Sequence, residues 1–217
     1  YNQWNNRASN DLDFSGRDEP GDLFRLFSVR TWDDADRSSD FVSQEFRLIS
    51  PAGEQLEYLL GLYYSKTENS QRFQRFNGFA PLTADTNEST ETEGYAAFGQ
   101  ADWHWTELTT LSLGLRYNYE EISADVEDFN AHTQVKGNDA DGVWLGKLAL
   151  QHWVLEDTMG YASVATGYKG QAFDTVPFDE EKARNPVQPE ESMNYELGLK
   201  SIFADGRVQM NAATFFT

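Results

Sequence analysis

The feature that most constrains this chain is a period of two. From Leu111 the odd positions read Leu111, Leu113, Leu115, Tyr117 and Tyr119, and the even positions Ser112, Gly114, Arg116, Asn118 and Glu120. Neighbouring side chains of a strand point to opposite sides, so such a run predicts a strand with one apolar face and one polar or small face. The pattern recurs. Tyr95, Ala97, Gly99, Ala101, Trp103 and Trp105 oppose Ala96, Phe98, Gln100, Asp102 and His104. Leu56, Tyr58, Leu60, Leu62 and Tyr64 oppose Glu57, Leu59, Gly61, Tyr63 and Ser65, and the chain closes on Val208, Met210, Ala212, Thr214 and Phe216 against Gln209, Asn211, Ala213 and Phe215. The stretch from Met159 to Lys169 has no clear phase, and no comparable helical period is present.

The connections carry a second signal, because short and long ones alternate. The short ones are Ser50–Gln55, Thr106–Thr109, Glu156–Asp157 and Ala204–Gly206, and the long ones cover about 11–40, 67–93, 121–142 and 170–191. Trp103, Trp105 and Trp153 lie beside short turns, whereas Tyr63, Tyr64, Tyr117, Tyr119 and Tyr168 lie beside long ones. Membrane β-barrels combine these features: short turns on one side, long loops on the other, and an aromatic girdle at each interface.

Composition decides between rivals. The chain has 36 Asp and Glu against 17 Lys and Arg, a net charge of −19, which makes nucleic acid a poor partner. Cysteine is absent, so disulfides, thiolate metal sites and cysteine nucleophiles are excluded. The longest apolar stretch, Leu59–Tyr64, is far short of a membrane helix. The mean hydropathy of −0.64 looks soluble, yet strands with one lipid face and one wet face average to such values. A soluble β-sandwich is the competing reading of the alternation.

Ser43–Pro51 followed by Leu56–Ser65, then Tyr95–Glu120, Tyr161–Asp174, Pro186–Ser201 and the closing strand from Arg207 resemble, in order, segments of TonB-dependent outer-membrane receptors. The resemblance covers essentially residues 1–217. It implies an all-β, antiparallel transmembrane barrel of about 22 strands, of which the alternating runs here account for about nine. It also implies active import of a scarce ligand across the bacterial outer membrane, with a ferric siderophore ahead of cobalamin, haem or carbohydrate, and no enzymatic chemistry. The implied partners are a TonB-type energy-coupling complex, reached through a plug region, the outer-membrane lipid with its lipopolysaccharide, and the small-molecule ligand. No cofactor is implied. Neither a plug nor a TonB-contacting segment is legible, and the chain is expected to be a middle portion of a longer protein. A passive porin or a barrel-borne adhesin is the alternative function.

Candidate ligand contacts follow from placement. Phe73, Phe76 and Phe79 cluster in one long connection and suit an apolar ligand; Asp102 and Arg116 stand on the polar, lumen-side face; Tyr168 stands at the mouth of another long connection. Asp11, Asp13, Ser15, Gly16 and Asp22 match the spacing of a calcium loop, but the last ligand is the short Asp22, Pro20 interrupts, and no helix flanks it. The three histidines, His104, His132 and His152, form no metal-ligand pair.

Overall fold

The computed structural model describes residues 2–12, 31–77, 80–174 and 180–217. Among these described residues nine strands form one antiparallel sheet in sequence order: β1 (Asn2–Leu12), β2 (Thr31–Ile49), β3 (Leu56–Asn77), β4 (Ala80–Thr106), β5 (Thr109–Asp128), β6 (Thr133–Leu155), β7 (Thr158–Lys169), β8 (Glu190–Phe203) and β9 (Val208–Phe216). A single-turn helix, α1 (Glu180–Arg184), interrupts the connection between β7 and β8. No helix among the described residues is long and apolar enough to cross a membrane, which says nothing of a β-barrel.

Register sorts the side chains as the alternation requires. Trp103 faces Leu111 and Leu111 faces Leu150; Ala101 faces Leu113 and Leu113 faces Leu148. All of these lie on one face, where Leu62, Leu113, Leu115, Trp144 and Leu197 are largely exposed. Buried residues fall almost wholly on the other face. Ala35, Thr86, Glu88, Ala96, Ser112, Ile122, Ala124, Val126, Val135, Val143 and Ala149 all belong to it, so that face is the concave, inner one. β7 resolves its own phase by pairing: Ala162 and Val164 join Leu150 and Leu148 on the apolar face, and Tyr161 and Ser163 turn inward.

Two long connections expected as loops are mostly strand. β3 and β4 stay paired through 67–93, from Leu56↔Trp103 up to Arg75↔Ala84, and β5 and β6 stay paired through 121–142, up to Asp128↔Thr133. β2 likewise begins at Thr31, well inside 11–40. The reason is chemical. Above the apolar band the outer face is largely polar and the apolar residues, Ile122, Ala124, Val126 and Val135, turn inward, so the outward hydrophobic alternation ends while the ladder continues. Cross-strand partners hold it instead: Lys66 reaches Glu91 at 3.1 Å and Glu93 at 3.6 Å, Arg72 reaches Asp85 at 3.1 Å, and Lys136 reaches Asp125 at 2.8 Å. At about 3.3 Å per residue, the 27 residues of β4 far exceed the 9–11 residues a tilted strand needs to cross a bilayer.

The top of the β5–β6 hairpin is tight. The Asp128 carboxylate accepts the backbone N–H groups of Asn130 (2.8 Å) and Ala131 (3.0 Å), and His132 completes the reversal at φ 54°. The connection between β7 and β8 is pinched by an isolated bridge between Ala172 and Val187.

Candidate functional site

Three aromatic residues mark the upper limit of the apolar face. Tyr64 faces Tyr95 and Tyr95 faces Tyr119 across β3, β4 and β5. Their hydroxyls donate upward to carboxylates, Tyr95 to Glu93 at 3.0 Å and Tyr119 to Glu121 at 2.9 Å. Beside Glu93 stands Lys66, its ammonium held well above the usual lysine range by hydrogen bonds to Glu68 and Glu91. An apolar band therefore passes through an aromatic row into a charged belt within about two residues, the profile that membrane barrels show at an interface.

The inner face at that level is built around Arg116. Its Nε donates to Asn118 Oδ1 at 2.5 Å, and its guanidinium carbon stands 5.3 Å from the centre of the Phe98 ring and 5.6 Å from that of Tyr63. Phe98 can lie there because its cross-strand partner is Gly61, which leaves the ring its space. The same device recurs on β7 and β8, where Tyr161 covers its partner Gly198, donates to Glu196 and receives the Lys200 ammonium at 5.4 Å.

Nearer the short turns, the inner wall forms a concavity of about 320 Å³ among residues that include Glu57, Asp102, His104 and Lys147. Asp102 faces Ser112 across the ladder and accepts from Gln100 at 3.0 Å. His104 lies 3.8 Å from Glu57 and 3.0 Å from Thr110 Oγ1.

Towards the long connections, β7 leaves β6 after Lys147↔Ala165 while keeping its ladder with β8 up to Lys169. The departing end turns inward across β6. Tyr168 donates to Asp141 at 3.3 Å, and a Cβ at Gly170 would stand 2.5 Å from the Glu120 carboxylate on β5. Glu120 accepts the backbone N–H of Gln171, yet burial outweighs that bond and pushes its carboxyl above the ordinary range. Helix α1 packs onto β5 and β6 behind this contact.

The six expected ligand contacts do not converge. Phe73 and Phe76 differ by three positions and so stand on opposite faces. Phe73 lies inward under the Arg75 guanidinium at 5.4 Å, while Phe76 lies outward and stacks on Trp32 at 5.3 Å with planes 9° apart. Phe79 lies outside the described residues. Arg116 and Asp102 share the inner face of neighbouring strands but at different levels, and Tyr168 belongs to the β7–β8 connection. Of the calcium-like run, Asp11 is in β1 and the other four residues lie outside the described residues. No cluster of three metal-binding side chains occurs among the described residues. Gly61, Lys147, Gly170 and Gln171 carry much of the inner geometry. The available signal was the pair of aromatics, Tyr63 and Phe98, on an otherwise small or polar face.

A sheet that keeps its polar and small residues on a concave inner face and offers large aliphatic and aromatic side chains outward is the wall of a membrane β-barrel. The family model described as TonB dependent receptor-like, beta-barrel, matches residues 1–217, and the chain belongs to that family. The pesticin receptor of Yersinia pestis is 29% identical over 164 residues, 75% of this chain and 24% of that protein. The chain thus spans about a quarter of the curated relatives it matches. Among solved structures, the ferric yersiniabactin uptake receptor FyuA from Yersinia pestis superposes with a TM-score of 0.71 at 24% identity, covering 86% of this chain and 29% of that one. The copper transporter OprC does so with a TM-score of 0.66 at 15% identity, covering 98% and 35%. These likenesses establish the fold.

Proposed function

We propose that the full-length protein is an outer-membrane receptor that imports a ferric siderophore, with energy delivered by a TonB-type complex through a plug region. Membership of the receptor family along all of residues 1–217 carries this reading. Two relatives support the ligand class, one described as a ferric yersiniabactin uptake receptor and one as a ferric citrate transporter. In this reading the aliphatic face meets lipid, and the Tyr64–Tyr95–Tyr119 row and the charged belt above it meet headgroups and lipopolysaccharide. The inner wall, with Phe73 high and Arg116 lower, lines the ligand's route, Tyr168 steadies the inward-folded connection, and Asp102 lies near the exit. No bond is made or broken in the ligand.

The test is growth of a deletion strain under iron limitation, with single ferric chelates supplied. Loss of growth on one chelate, restored by the full-length gene only when TonB is functional, is the expected result. Unchanged growth on every chelate, or rescue that ignores TonB, overturns the reading and favours a passive porin.

A further inference from the structure

Where β7 parts from β6, two buried side-chain oxygens have no hydrogen-bond partner. One is Oε1 of Glu120 on β5, and the other is Oε1 of Gln171, the second residue after β7. Only 9% of Gln171 is exposed. The two residues touch, because the Gln171 backbone N–H donates to the Glu120 carboxylate. A side chain that starts there can bring its oxygen beside Glu120 Oε1 by rotation about its own bonds. Two acceptors cannot satisfy each other, and both lack the same thing, a positive or proton-bearing group.

The same place carries uncompensated charge. Asp141 is the cross-strand partner of Glu120 on the inner face, and like charges directly opposite each other destabilise a ladder. Elsewhere the chain answers such a pair with a lysine: Glu68 faces Glu91, and Lys66 reaches both, at 2.9 and 3.1 Å. Neither Glu120 nor Asp141 forms an ion pair with a described residue. Tyr168 donates to Asp141 Oδ2 at 3.3 Å and also stands in the fields of Glu120 and Glu191. Gly170 lets the connection press this close, since a Cβ there would stand 2.5 Å from Glu120 Oε1. An amide turned the other way would give Glu120 a donor but leave the opposed carboxylates unneutralised.

The geometry points to a divalent-cation site of calcium type, made by the Glu120 and Asp141 carboxylates and the Gln171 side-chain oxygen, which fastens the β7–β8 connection onto β5 and β6. All three donors are hard oxygens. Calcium accepts about six to eight of these in irregular arrangements, with water in the remaining positions, whereas magnesium demands a near-ideal octahedron. Only two carboxylates take part, so the site is weak, in the range of about 10⁻⁴–10⁻³ M that suits an extracellular module. The site stands apart from the import reading and holds whatever the ligand is.

The full-length receptor, purified in detergent and stripped of divalent ions with chelator, tests it. Tryptic cleavage after Lys182 and Arg184, both exposed on α1, reports whether the connection is docked. Calcium and magnesium are added separately, with sodium chloride at equal ionic strength as the control. The pH is held constant, because a proton competes for Glu120. Wild type is expected to be cleaved several-fold more slowly with calcium, half-protected at about 10⁻⁴–10⁻³ M, and to be protected less by magnesium. Gln171→Met and Asp141→Asn should each raise that midpoint roughly tenfold or more, as for a lost contact to a charged group. Glu120→Gln relieves the opposed charges, so its connection should stay docked without calcium and gain nothing from it. Wild-type cleavage that ignores calcium, or that sodium chloride slows equally, overturns the site. So does calcium protection that survives all three substitutions, which would place the ion elsewhere on the acidic surface. Equal protection by magnesium overturns the assignment to calcium. If the strand variants fail to fold, Gln171→Met, which leaves both strands untouched, decides.

Discussion

Phe98 lies across Gly61, its cross-strand partner, so closely that a Cβ at position 61 would stand no more than 2.7 Å from three atoms of the ring. The glycine thus holds a place for the aromatic plane on which Arg116 rests. Gly61→Val is expected to destabilise the barrel by about 1–3 kcal/mol, the usual cost of overpacking. It should also free the Arg116 side chain. Melting of the purified receptor reads the first effect. Removing the ring in Gly61→Val/Phe98→Ala should give a smaller loss than the sum of the single substitutions, and strict additivity would show that the two do not share this space.

Phe73 and Phe76 offer a test of facing. Phe76 is stacked on Trp32 on the outer surface, so Phe76→Ala should lower the stability of the upper sheet by about 0.5–1.5 kcal/mol beyond the lost burial. It should leave ligand affinity unchanged. Phe73→Ala, on the inner surface, should weaken ligand binding. Equal effects of the two on binding would contradict the assignment of faces.

The two faces of the band itself should differ in their tolerance of charge. Leu113→Arg places a cation among the aliphatic side chains and is expected to cost about 2–4 kcal/mol near the bilayer midplane. Gln100→Arg, on the inner wall one register step away, should cost little. Unfolding from vesicles in denaturant measures both.

Glu120 should make the β7–β8 connection sensitive to pH. Burial raises its carboxyl in the folded state, with Asp141 adding to the rise. An acid whose pKa is raised on folding carries a penalty when ionised, so docking of the connection strengthens as pH falls through the folded value and weakens above it. Glu120→Gln removes the titration. Proteolysis within 170–189 should then lose its pH dependence above the ordinary carboxylate range. A variant that keeps the wild-type profile would exclude Glu120 as the titrating group.

How far these features were legible in the sequence depended on contrast between faces. Leu111–Glu120 declared strand, face and membrane level at once, because every second residue changed character. Residues 67–93 did not. There Thr, Glu, Ser and Asn occupy both faces, and only pairings such as Lys66 with Glu91 and Glu93 betray the ladder. The face carrying Arg116 was readable, but its aromatic setting was not. It depends on Gly61 and Phe98 being directly opposite, a matter of register between strands 37 residues apart in sequence. The inward course of β7 was hidden for a similar reason. It follows from a broken ladder and a glycine against Glu120, and neither leaves a periodic trace.

The parting of β6 from β7 also bears on how the wall carries force. A sheet resists sliding only where its ladder is continuous, and these two strands share one only between Lys147↔Ala165 and Leu155↔Thr158. Above that line the ladder carries load on the tall β5–β6 hairpin back to β4, and load on β7 to β8, with only side-chain bonds such as Tyr168 to Asp141 between the two. The rim is therefore slit, and its two sides can bend independently. The low ring of short turns below stays stiff, with the Glu120–Gln171 contact as a fastening across the gap.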